Sequence, residues 1–106
     1  MIDLVDRSKA QPHLHLALLE LRLEATRRPE LHDPLVAIIQ RSFDADLVFH
    51  KASGLPGGER EIMMLHLAIG GLITEVLTLP DALRINDTRS IIEDLVTRIV
   101  FFDPAR

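Results

Sequence analysis

The chain has 106 residues and a formal net charge of −4, with no cysteine, tryptophan or tyrosine. That length fits one domain, and the missing cysteines exclude disulfides, zinc fingers and thiol catalysis together. The acidic balance, with Arg27-Arg28 the only tight basic pair and no aromatic stacking platform, excludes nucleic-acid binding by this segment alone.

Hydrophobic residues at 47% and charged residues at 26% describe a globular rather than a disordered chain. There is no run of about 18 uncharged apolar residues and no basic-then-apolar leader at Met1, so a soluble, cytoplasmic domain with no membrane partner is expected. Residues 1–11 mix apolar and charged side chains without a sustained period and read as a lead-in. From Pro12 the spacing predicts a helix to Arg28. Proline suits a first-turn position, where its missing N–H has no helical partner anyway, and Pro29 restricts Arg28 and stops the helix. Glu24, three and four residues before Arg27 and Arg28, predicts a helix-surface ion pair.

Asp33-Pro34 signals a second start, with Asp33 as the N-cap and the helix running from Pro34 to Ala52, before Gly54. The segment Gly54-Leu55-Pro56-Gly57-Gly58 is a loop. A third helix is predicted from Glu59 to about Leu79, its acidic start matched to the positive end of the helix dipole, and Pro80 closes it. After a turn over 81–85, Asp87 or Thr88 caps a last helix to about Phe102. The class is all-α: a single domain over 1–106, a bundle of four main helices.

The helix faces carry more information than the boundaries. On the third helix Ile62, Leu65, Ile69, Leu72, Ile73 and Val76 form a core stripe. The opposite face, with Met64, Leu67, Ala68, Gly71, Thr74, Glu75 and Thr78, is small and mostly uncharged, and a helix apolar nearly all round is normally buried all round. Gly70-Gly71 costs about 2 kcal/mol of helix propensity relative to two alanines, a cost that persists where backbones approach closely. Two readings fit: a tight crossing within the chain, or a helix–helix contact across a two-fold axis. The last helix carries the stripe Ile91, Leu95, Ile99 and Phe102 and beside it a second, Ile92, Val96 and Val100, together wider than one neighbour usually covers. Paired with the third helix in two copies, it would build an intermolecular four-helix bundle.

Polar residues interrupt the apolar arcs of the first three helices: His15, Arg22 and Thr26 on the first, Ser42, Asp46 and His50 on the second, His66 on the third. Stranding a buried polar group costs about 1–3 kcal/mol, so each needs a partner. Either Arg22 pairs with Asp46 in an internal network, or these groups converge on an apolar cavity for a small ligand. His15, Arg22, Thr26, Asp46, His50 and His66 are the candidate ligand-binding residues. No nucleophile elbow, phosphate-cradling glycine loop or HExxH pattern occurs. His13 and His15 point to different sides of a helix, and Asp46 with His50 makes a lone pair, so neither metal nor cofactor nor enzymatic activity is expected.

The stretch Leu19-Glu20-Leu21-Arg22-Leu23-Glu24-Ala25-Thr26-Arg27-Arg28-Pro29-Glu30-Leu31 resembles a segment of the C-terminal domains of TetR-family bacterial transcription regulators. Ala68-Ile69-Gly70-Gly71-Leu72-Ile73 is similar to the centre of that family's penultimate helix, and Ile91–Phe102 to its final helix. The resemblance implies a homodimer through the last two helices, placing Met64, Leu67, Ala68, Gly71, Glu75, Thr78, Ile92, Val96 and Val100 at the interface. It also implies a pocket for a small effector among the earlier helices, and effector-driven shifts between dimer states that control DNA binding. The family's N-terminal helix-turn-helix does not precede Pro12, so DNA contact is expected only through a headpiece outside this chain, whether the chain is an excised domain or a truncated one. Two other classes stay open on the residues alone: a stand-alone helical adaptor that binds another protein through the 64–78 face, and a small enzyme or metal-binding bundle.

Overall fold

Prolines and glycines set most of the helix boundaries in the computed structural model, which describes residues 10–102. Helix α1 spans Pro12–Ala25, a 3-10 turn covers Pro29–Leu31, and α2 spans His32–Ser53. Helices α3 and α4 span Glu59–Thr78 and Thr88–Ile99, and no strand occurs among the described residues. The all-α expectation holds.

The α1 boundary comes three residues before the expected Arg28. Thr26 Oγ1 donates to the Leu23 carbonyl at 2.7 Å, and the N–H groups of Arg27 and Arg28 both reach the Glu24 carbonyl. Arg28 then swings to φ −123°, ψ 93°, because Pro29 disfavours a helical conformation in the residue before it. The predicted surface pair forms between Arg27 and Glu24 at 2.9 Å, while Arg28 turns to Glu30 at 3.0 Å. Since the 3-10 turn feeds directly into α2, that helix starts at His32, and Asp33 lies in its first turn instead of capping it. Gly54 ends α2 at φ +75°, a left-handed conformation that glycine adopts without steric cost.

At the start of α3 the Glu61 carboxylate accepts the Gly58 N–H at 3.0 Å. That bond first, then Glu61's own backbone N–H and the nearby charge of Arg60, hold its carboxyl below the usual range. A lowered folded pKa means that stabilisation is fully present above the ordinary carboxylate range and is lost as pH falls through the depressed value. Glu61→Gln therefore lowers the melting temperature at pH 7, and the gap to the parent narrows as pH falls below the ordinary carboxylate range and closes once Glu61 is protonated in the folded chain. A gap of the same size at every pH would show that the charge contributes nothing.

The turn between α3 and α4 carries Arg84 at φ +56°. Asp87 then caps α4, its Oδ1 accepting the Ser90 N–H at 3.1 Å. The helix ends at Ile99, so Phe102, expected on the Ile91/Leu95/Ile99 stripe, leaves it and is 69% exposed.

Leu65, Ile69, Leu72 and Ile73 of α3 interlock with Ile92 and Val100 at the centre of the core. Ile85, Ile91, Leu95, Val96 and Ile99 pack around them. The inner stripe, Ile92, Val96 and Val100, thus packs within one chain, while Ile91, Leu95 and Ile99 of the outer stripe are half-buried. This corrects the placement of Ile92 and Val100 on a dimer face: they are 2% and 5% exposed and have almost no surface left for a partner. Among the described residues only Leu35 and Ile62 are buried outside this cluster, and α1 buries no residue fully. By length and composition α3 could cross a bilayer (mean hydropathy 1.4), and it is the helix whose apolar stripe builds this core.

Candidate functional site

On the side of α3 away from the core, α1 and α2 lean over the helix and leave a cleft of about 490 Å³, within the usual range for small-molecule sites. Helix α1 contributes His15, Leu18, Leu19 and Arg22. Their i, i+3, i+4, i+7 spacing puts them on one face over two turns, with the polar groups at the ends and the leucines between. Helix α2 contributes Ile39 and Phe43, one turn apart. The α3 wall carries Met63, His66 and Leu67, with Gly70, Gly71 and Thr74 one and two turns further on.

His66 is the most firmly held polar group in the cleft. Its Nε2–H donates to the Asp46 carboxylate, and the Phe43 ring meets it edge-on, centroids 5.3 Å apart at 84°. Phe43 and Asp46 are three residues apart and share a face of α2, so one helix fixes the imidazole from two directions. A carboxylate only accepts, which assigns the proton to Nε2 and leaves Nδ1 available. Arg22 has no hydrogen bond or ion pair among the described residues. The internal Arg22–Asp46 pair considered from the sequence does not form, because Asp46 is engaged by His66.

Of the six candidate ligand residues, His15, Arg22 and His66 line the cleft, and Asp46 stands behind His66. The other two do not reach it. Thr26 lies past the end of α1, with its hydroxyl bonded to the Leu23 carbonyl. The Nε2–H of His50 donates to the Pro56 carbonyl at 2.8 Å, so this residue ties α2 to the following loop. The apolar wall was missed as a wall, although the spacing of His15, Leu18, Leu19 and Arg22 was there to be seen. Among the described residues no three His, Cys, Asp or Glu side chains gather in a way that could hold a metal ion.

The glycine pair takes on a different meaning. A Cβ built on Gly70 or on Gly71 meets no atom within 4 Å, so the tight crossing within the chain is not what the pair serves. In the single chain both glycines form cleft floor. Beside them Met64, Leu67, Gly71 and Thr78 are exposed, Ala68 and Glu75 half-buried, and Leu67 stands 70% exposed. Thr74 and Thr78 donate their hydroxyls to the carbonyls of Gly70 and Thr74, at 3.0 and 2.6 Å. With those hydroxyls bonded to their own helix, the outer face of α3 is more apolar than its sequence reads. On α4, Val96 is half-buried against the core.

No curated protein matches the sequence. Residues 1–100 match the family described as the tetracyclin repressor-like C-terminal domain. That match spans all four helices and every residue that lines the cleft, and the chain accordingly belongs to the TetR-like C-terminal domain family.

Proposed function

We propose that this chain is the effector-binding and dimerisation domain of a cytoplasmic TetR-type transcription regulator. Domains of this family belong to regulators, which are not enzymes, and the ligand sensing and the dimer are the parts proposed here. The observation that carries the ligand reading is the cleft itself: an apolar hollow in which Asp46 and Phe43 pre-set the orientation of His66. A binding site needs its polar groups held before the ligand arrives, because ordering them on binding subtracts from affinity.

The outer α3 face, Met64, Leu67, Ala68, Gly71, Glu75 and Thr78, together with the half-buried Val96 of α4, is the proposed contact with a second copy. Effector binding then changes the balance between two dimer arrangements, and DNA is reached only through a helix-turn-helix outside this chain. Leu67 and Gly71 belong to both the cleft and this face, so occupancy on one side bears directly on packing on the other. Light scattering at tens of micromolar is expected to give twice the chain mass of 11.9 kDa, and Leu67→Glu to halve it. A monomer in the parent chain would sink the dimer half of the proposal, and no melting shift with any member of a broad small-molecule panel would sink the other.

A further inference from the structure

The chain has 16 Asp and Glu against 12 Lys and Arg, yet among the described residues no acidic side chain lines the cleft, while His15, Arg22 and His66 do. Arg22 carries a permanent charge. The carboxylates nearest to it in sequence are engaged elsewhere or lie off its face: Glu24 pairs with Arg27, and Glu20 is exposed outside the cleft lining. Asp46 is bonded to His66 behind the wall. The α1 stripe thus offers a guanidinium with no partner among the described residues at one end, an imidazole at the other and two leucines between.

We infer that the cleft takes a free amphipathic monocarboxylate, its head on the Arg22 guanidinium and its aliphatic or aromatic body along Leu18, Leu19, Phe43 and Leu67. The inference rests on the ligand-binding reading above and narrows it to one chemical class. Guanidinium and carboxylate match as a planar fork, which makes the bond strong and orienting. His15, two turns away on the same stripe, marks the far end of the cleft.

Three probes of equal chain length separate this from a merely greasy cleft: decanoate, decanol and decylammonium, each below its micellar concentration, titrated against the full chain. Nonspecific attraction to a chain of net charge −4 favours the ammonium, so a preference for decanoate runs against the overall charge. Decanoate is expected to bind at least tenfold more tightly than either analogue, and Arg22→Met to remove about tenfold of that affinity while leaving decanol unchanged. Equal binding of all three, or preference for the ammonium, overturns the carboxylate class and leaves the small-molecule site standing. Decanoate binding that survives Arg22→Met overturns the role of the guanidinium. If none of the three binds but an uncharged compound from a wider panel does, the class is again overturned and the site is kept. If nothing binds, both readings fall.

Discussion

Ile92→Ala is expected to lower the unfolding free energy by about 2–5 kcal/mol. Ile92 is 2% exposed and sits where α4 meets Leu65, Ile69 and Ile73. Removing three carbons there leaves a hole that rigid helix packing closes only in part. A domain of this size has about 5–15 kcal/mol in total, so even the low end of that loss is more than about a tenth of the stability. Urea unfolding at two protein concentrations checks this. The loss should be the same at both, because the side chain is enclosed by its own chain. A loss confined to concentrations where the chain associates would return Ile92 to the dimer seam.

Gly70→Ala/Gly71→Ala should act in opposite directions on folding and on association. Alanine gains about 1 kcal/mol over glycine per helical position, and beyond the local helix backbone neither new methyl comes within 4 Å of an atom of the described residues. The double variant is therefore expected to be about 2 kcal/mol more stable per chain when unfolding is measured at high dilution. Methyls on a face where two backbones approach closely would hold them apart, so its dimer dissociation constant should rise at least about tenfold, or about 1.4 kcal/mol. Light scattering over a dilution series reads that number. A variant that is both more stable and equally dimeric would show that no second backbone approaches the pair, leaving the cleft floor as its only role.

The helices and their order were legible because each boundary carries local chemistry. Pro12 opens α1, Gly54 closes α2, Asp87 caps α4, and all three act within one turn of themselves. The end of α1 was legible as a stop and misplaced in register, since Arg28 is bent by Pro29 but the unwinding starts three residues earlier at Thr26. What a helical wheel cannot supply is which neighbour covers a stripe. The combined width of the two α4 stripes pointed to a second chain, yet Ile92 and Val100 are buried within one chain against α3, with Val96 and Ile85 packed beside them. In the same way His50 and His66 looked alike on their wheels. One ties down a loop and the other faces a cleft, a difference set by elements 6 and 20 residues away.

Burial in this chain is lopsided: its tight packing lies almost wholly between α3 and α4, while α1 rests on its neighbours without a single fully enclosed side chain. Elements with little enclosed apolar surface open locally at a lower free-energy cost than the whole fold does. Amide hydrogens of α1 should therefore exchange with solvent through partial openings, while those at the centre of α3 wait for global unfolding. Two walls of the cleft come from the looser part and one from the tighter, so an occupant would act as a clasp between them. Its clearest trace would be slowed deuterium uptake along α1, with little change at Leu72 and Ile73. Uniform slowing across all four helices would mean that the two parts already open together.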